Sequence, residues 1–204
     1  MWDGAKWNAE MPTEPLNAED RATLLLIARR ALMHRAMTGG RPHRFDLGVE
    51  PIPPRLDARQ GAFVTLRQDG DLRGCIGHLQ ALDPLWRNVA ESAVSAAWGD
   101  TRFDPTPSSE VSSLEIEITV LGPLEPIQGP EEITVGKHGL LIESAEGRGV
   151  LLPQVAEEHG WDAERFLDET CHKANLPRDA WRRADTEICR FNAEHFAERR
   201  DDTA

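Results

Sequence analysis

The residues Asp69-Gly70-Asp71 separate two strand-like runs, and this arrangement constrains the fold more than any other feature of the chain. Gly61 to Arg67 is a strand by composition, and Leu72 to Leu79 is its return. An Asp-Gly pair between such runs closes a tight hairpin, because glycine adopts the positive φ that the turn requires. The return run holds Arg73-Gly74-Cys75-Ile76-Gly77, and two glycines in five residues weaken a strand. Their presence predicts a bulge, or the close approach of another backbone or of a ligand.

The rest of the chain mixes strands and helices. Asn17 offers an N-cap, Glu19 and Asp20 suit the first turn, and Ala22, Leu25, Ala28, Leu32 and Ala36 follow at helical spacing up to Gly39-Gly40. Four prolines, Pro42, Pro51, Pro53 and Pro54, predict an extended loop over 41–59. Asp83-Pro84 predicts a helix start with Asp83 as N-cap. The helix is apolar on most sides, and its alanines let it lie close to a sheet. Leu114 to Leu121 alternates like a strand with one buried face, and Gly122-Pro123 is expected to stop it. Ile133 to Val135 and Gly139 to Glu143 read as short extended pieces, with Val150 to Leu152 pairing back. Pro153 starts a helix to His159, and Asp162 caps another that turns Phe166 and Leu167 inward. Asp185 to Phe196 is ambiguous between strand and helix, with strand favoured by its Thr-Glu-Ile-Cys-Arg-Phe start. The order predicts an α+β fold. Residues 1–16 are expected to be an N-terminal arm, and 17–204 one domain, or one domain with a smaller lobe.

With 204 residues the chain is long enough to bury a real core. A net charge of -12 repels phosphate backbones and anionic lipid, so neither nucleic acid nor a membrane surface is expected as a partner. No apolar run approaches membrane-spanning length, and the N-terminus lacks the pattern of a signal peptide. Three cysteines, Cys75, Cys171 and Cys189, are too few and too far apart for a disulfide framework. They read as reduced thiols in a cytoplasmic protein.

Chemistry concentrates at Cys75. A thiol between two glycines is sterically open, and Arg73 points to the same face if the strand is regular. One reading is a nucleophilic or ligand-gripping cysteine with an anion-holding arginine. The other is a small packing cysteine beside a structural bulge, and the sequence leaves both open. Cys75 and His78 have Cys-x-x-His spacing, but structural zinc needs four ligands and the only other adjacent pair, Cys171-His172, diverges on a helix. No metal is expected. His138, flanked by turn residues, is a candidate for proton transfer or an ordinary surface histidine. Arg102, between Asp100 and Asp104, is either a carboxylate or phosphate clamp or a structural ion pair. Glu115 and Glu117 share one strand face and become paired carboxylates only if that face lines a cleft. No phosphate-binding loop, dinucleotide fingerprint, nucleophile elbow or zinc-protease motif is present, so no cofactor is expected.

Several strings together carry a family resemblance. Leu72-Arg73-Gly74-Cys75-Ile76-Gly77 is preceded by Gly61-Ala62-Phe63-Val64-Thr65-Leu66. Thr101-Arg102-Phe103, Glu115-Ile116-Glu117-Ile118-Thr119-Val120-Leu121 and Gly136-Lys137-His138-Gly139-Leu140 follow, then Leu152-Pro153-Gln154-Val155-Ala156 with Trp161, and Lys173-Ala174-Asn175-Leu176. In that order they resemble the AMMECR-type domain, known in bacteria as AmmeMemoRadiSam system protein A. The chain departs from the family's common pattern at Thr101, where proline is usual, and at Asn175, where glycine is usual. Asparagine is the next-best residue in a left-handed helix cap. The resemblance implies an antiparallel sheet flanked by helices, with a smaller second lobe and a cleft between them. It also implies a genomic association with a Memo-like protein and a radical SAM protein, which makes these two the partners to expect.

Two functional expectations follow. The first is an enzyme, or enzyme subunit, acting on a small metabolite or modified group in a radical SAM/Memo-linked pathway. Cys75 and His138 are then its catalytic residues, and Arg73, Gly74, Gly77 and Arg102 bind its substrate. The second is a non-catalytic binding or delivery protein whose cleft holds a ligand or a partner peptide.

Overall fold

The computed structural model of the chain describes residues 12, 14–79 and 83–198. The fold is α+β, as the order of elements predicts. Among the described residues there are five α-helices: α1 (Ala18–Thr38), α2 (Pro54–Asp57), α3 (Leu85–Trp98), α4 (Pro153–Glu158) and α5 (Ala163–Lys173). Six strands, β1 (Ala62–Gln68), β2 (Asp71–His78), β3 (Glu115–Pro126), β4 (His138–Glu143), β5 (Arg148–Leu151) and β6 (Glu187–Ala197), form one sheet in the order β2-β1-β3-β6-β4-β5. No described helix is long and apolar enough to cross a membrane. The chain divides into two compact units, whose described residues are 122–193 in one, and those up to 121 with 194–198 in the other.

In the larger unit, α1 begins with a reciprocal cap. The Asn17 side chain accepts from the Asp20 amide at 2.8 Å, and the Asp20 carboxylate accepts from the Asn17 amide at 3.3 Å. Gly39, at φ 70, ends the helix in the left-handed conformation. Strand alternation then sorts the residues by face. Val64, Leu66, Ile116 and Ile118 are fully buried in a core shared with Leu24, Ile27 and Leu32 of α1 and Leu85, Val89 and Ala93 of α3. The alternate residues, including Phe63, Thr65 and Glu117, occupy the opposite face. At the hairpin turn Asp69 and Gly70 have φ of 52 and 89, the two positive values that an Asp-Gly turn supplies.

The smaller unit buries Phe166, Leu167 and Cys171 of α5 against Leu140 and Ile142 of β4. Asp162 caps α5 by accepting from the Arg165 amide at 2.8 Å. Asn175 takes φ 60 after the helix, so asparagine does occupy a left-handed position here. The ambiguous stretch Asp185 to Phe196 resolves as strand from Glu187 on, where β6 begins.

Four local expectations are corrected. The proline-rich stretch 41–59 is not wholly extended, since Arg44–Leu47 is a 3₁₀ turn and Pro54–Asp57 is α2, with Pro54 in the first turn where its missing amide is harmless. Asp83 does not cap α3. Pro84 takes that position, the Ala58 carbonyl accepts from the Leu85 amide at 2.9 Å, and Asp83 instead lies 3.6 Å from Arg87. Gly122-Pro123 does not stop β3, which runs on to Pro126. The register with β1 ends at Val120, so beyond it Pro123 has no ladder on that side to interrupt. Ile133 to Val135 is not extended strand but leads into a turn closed by the His138 amide on the Thr134 carbonyl at 2.9 Å. The arm expected at the N-terminus falls mostly outside the described residues. Leu16 at its end is buried, and its amide donates to Glu194.

The two glycines of β2 have separate packing reasons. A Cβ on Gly74 would lie far closer to the Ala96 carbonyl oxygen than van der Waals contact allows, so the backbone of α3 lies directly on the strand there. A Cβ on Gly77 would collide with the Ala62 carbonyl and the Phe63 ring, which lies across the position opposite its own strand residue. Gly74→Ala is therefore expected to cost about 1–3 kcal/mol by overpacking. That corresponds to a loss of roughly 2–12 °C in Tm for a chain of this size. A melting curve within a degree of the parent protein would show that α3 does not bear on the strand at this point.

Candidate functional site

Cys75 lies on β2, the outermost strand on its side of the sheet, and the loop after α3 supplies what a neighbouring strand would. Its amide donates to Asp100 Oδ2 at 2.9 Å, and its carbonyl accepts from Arg102 Nη2 at 3.3 Å. These outward backbone groups are thus tied to one acid and one base. The residue opposite is Thr65. Since the Cys75 amide points outward, the pair is of the non-hydrogen-bonded type, in which side chains stand closer together. The Thr65 hydroxyl accordingly donates to the sulfur of the partly exposed Cys75 at 3.2 Å.

Asp100 and Arg102 form a compact clamp. Arg102 donates to Asp100 through Nε at 2.9 Å, through Nη2 at 2.6 Å and through its amide at 3.2 Å. Asp100 is buried, yet its carboxyl is held well below the usual carboxylate range. The Arg102 side chain is the main cause, burial opposes it, and the Cys75 and Arg102 amides add to it. The same pairing raises the pKa of Arg102. Both groups therefore stay ionised at neutral pH, and together they present no net charge to the thiol. The outer face of the Arg102 guanidinium stands 5.4 Å from the Phe103 ring centroid.

Arg73 does not join this arrangement as regular alternation predicts. Leu66 pairs with Gly74 but Arg67 with Leu72, so Arg73 is the extra residue of a β-bulge. It gives Nε to Glu110 at 2.8 Å and Nη1 to the Asp104 carbonyl at 2.8 Å. Its charge is committed to holding the 104–110 loop. Glu117 shares the row of Cys75 and Thr65 on the sheet face and is paired to Arg67 at 2.8 Å, so it is not half of a carboxylate pair with Glu115. His138 belongs to the other compact unit. It opens β4 and is buried rather than placed on a loop. Its Nδ1 accepts from the Thr134 amide at 3.0 Å, and its ring also bonds the Glu132 backbone. Burial first, then Arg190 and Lys137, lowers its pKa, so the ring is neutral at neutral pH. Among the described residues no group of three His, Cys, Asp or Glu comes together as a metal site.

The residues that sequence reasoning missed are Thr65 as the partner of the sulfur and Asp100 as the anchor of the Cys75 amide. His195, 3.2 Å from Thr119, adds a polar pair on the same sheet face. Nothing in the sequence signals the Asp100 contact, but the hairpin count almost finds Thr65.

Comparison with known proteins settles the lineage. The AMMECR1 family model matches residues 25–196. The chain belongs to the AMMECR1 family. A protein of Methanothermobacter thermautotrophicus is 41% identical, with 92% of this chain and 99% of that protein covered. Protein PF1979 of Pyrococcus furiosus is 42% identical over 86% of each. The crystal structure of the uncharacterized protein PH0010 from Pyrococcus horikoshii superposes with a TM-score of 0.84 at 39% identity, over 90% of this chain and 93% of that one. Within this AMMECR1 family member, the Cys75 cluster falls inside the matched segment and includes the Leu72 to Gly77 string.

The clamp makes a pH signature. A carboxyl whose folded pKa is depressed contributes stability that is complete above its unfolded value, about 3.9, and is lost as pH falls through the folded value. Asp100→Asn is expected to lower Tm at neutral pH, with the gap to the parent protein closing steadily below about pH 4. Thermal melts from pH 7 to 2 that keep a constant gap would show that the charge of Asp100 contributes nothing.

Proposed function

We propose that this AMMECR1 family protein is an enzyme, or an enzyme subunit, in which Cys75 acts as a nucleophile on a small electrophilic group. The observation that carries the reading is the triple restraint on one partly exposed residue: Asp100 on the Cys75 amide, Arg102 on its carbonyl and the Thr65 hydroxyl on its sulfur. The two backbone contacts also cover an open strand edge, but the hydroxyl on the sulfur is a contact that a packing cysteine does not require. Preorganisation of an accessible thiol, in contrast, is what nucleophilic catalysis needs, because a reacting atom already in place avoids an entropic cost at the barrier. In this role Asp100 and Arg102 are positioning residues. Their mutual neutralisation favours a reacting group without formal charge beside the sulfur. His138, with its ring engaged in its own turn, is left out of the mechanism. The Memo-like and radical SAM proteins that the resemblance implies are proposed partners, to be sought by co-purification.

A second reading, a binding or delivery protein, draws on Gly74 and Gly77, whose missing side chains are accounted for by α3 and Phe63 without any substrate.

Alkylation separates the two. Cys171 and Cys189 are 0% and 2% exposed, and burial pushes the thiol of Cys171 up and that of Cys189 up to about 12. Chloroacetamide at neutral pH is expected to modify Cys75 well before either of them, as read by peptide mass spectrometry. Cys75→Ser should keep Tm within a few degrees, because the new hydroxyl retains Thr65 as partner. An unreactive Cys75 together with a strongly destabilised serine variant, on the order of 1–3 kcal/mol for an unsatisfied buried hydroxyl, would leave the binding reading in its place.

A further inference from the structure

A concave feature lies in the larger unit, against the helix side of the sheet. Arg35, Arg41, His78, Glu91, Ser95 and Trp98 are among the residues lining a pocket of about 370 Å³, at the lower end of the range for small-molecule sites. Its floor is the one open stripe of α3. Leu85, Val89, Ala93 and Ala96 are buried in the core, whereas Glu91, Val94, Ser95 and Trp98, at helical spacing, remain on the pocket side.

The lining is cationic in a chain of net charge -12. Arg41 is exposed and pairs with no acid among the described residues. Arg35 gives Nη1 to the Gly39 carbonyl, which offsets the partial negative charge at the end of α1 and fixes the guanidinium at the rim. Glu91, the one acid of the lining, is turned to Arg87 at 3.2 Å. The aromatic floor also has a donor to spare. Trp86 and Trp181 give their indole N–H to Asp57 and Asp168, but Trp98 has no such partner among the described residues.

The state of His78 follows from its neighbours. Asn88 Nδ2 donates to the Gln60 carbonyl, which can only accept, so Asn88 Oδ1 faces Ser92 and His78. An amide oxygen only accepts, so His78 Nδ1 carries a proton and Nε2 is the ring nitrogen left to a ligand. His78 Nε2 is then an acceptor and offers an oxyanion nothing. Two guanidinium groups, a hydroxyl and an indole N–H without a partner among the described residues, beside a flat apolar surface, are a recognition set for an oxyanion attached to a planar ring.

We propose that this pocket binds a small aryl phosphate, with the ring over Trp98 and the phosphate between Arg35 and Arg41. The site is independent of Cys75.

Phenyl phosphate is the probe, with inorganic phosphate and phenol as its two halves, followed by amide NMR titration of the full chain. Phenyl phosphate is expected to shift signals from Arg41 and from Val94 to Gly99 and to bind at least tenfold more tightly than either half. Arg41→Gln, at an exposed position, should weaken it at least tenfold. Trp98→Leu should weaken phenyl phosphate while leaving inorganic phosphate unchanged. Cys75→Ser should bind as the parent protein does. Absence of binding at millimolar phenyl phosphate, shifts that map elsewhere, or unchanged affinity in Arg41→Gln would each overturn the proposal. If Trp98→Leu does not fold, Arg41→Gln decides alone.

Discussion

The close seating of α3 on β2 at Gly74 governs the larger unit of this protein. With no side chain on the strand, the Ala96 carbonyl reaches the β2 backbone, and the helix ends two residues later at Trp98. That ending delivers Asp100 to the outward edge of β2 within hydrogen-bond reach of the Cys75 amide. A residue with a Cβ at position 74 would lift the helix and carry its trailing loop away from the strand. The clamp on Cys75 is therefore a consequence of packing on the opposite face of the sheet. A glycine that touches no substrate still sets the geometry of the thiol.

An edge strand exposes unpaired amides and carbonyls that invite association with another chain. Here the edge is blunted in two ways: Arg73 is extruded from the register and reaches across to Glu110, and the Asp100–Arg102 pair covers the groups at Cys75. The side chain thrown out by the bulge thus serves structure, and the neighbour that stays in register, Thr65, reaches the sulfur.

This one-residue shift marks the limit of what the sequence could disclose. The Asp69-Gly70 hairpin, the capped start of α1 at Asn17, the left-handed position at Asn175 and the strand at Asp185 to Phe196 were legible, because each depends on local backbone preference. Counting outward from the turn places Gln68 opposite Asp71 and Arg67 opposite Leu72, as found, but then sets Thr65 opposite Gly74. The bulge moves it to Cys75. Gly74 and Gly77 raised a bulge as one reading of this strand, but nothing in the local pattern placed it at Arg73. Asp83 and Pro123 misled for a related reason. A cap or a strand end inferred from one residue type is overruled when another segment, the Ala58 carbonyl or the end of the β1 ladder, meets the need first.

The electrostatics of the clamp narrow the chemistry it can support. An isolated Arg102 would attract a carboxylate or phosphate to the thiol, as the sequence suggested. Bound to Asp100 by three hydrogen bonds, it has little charge left to offer, since the field of a close ion pair falls off as a dipole. What the pair retains is direction. Asp100 draws on the Cys75 amide while Arg102 draws on its carbonyl, so displacement of the strand segment would strain two charge-assisted bonds at once. A site built this way holds an atom in place better than it collects an ion, and Arg41, which pairs with no acid among the described residues, lines the separate pocket on the far side of the sheet.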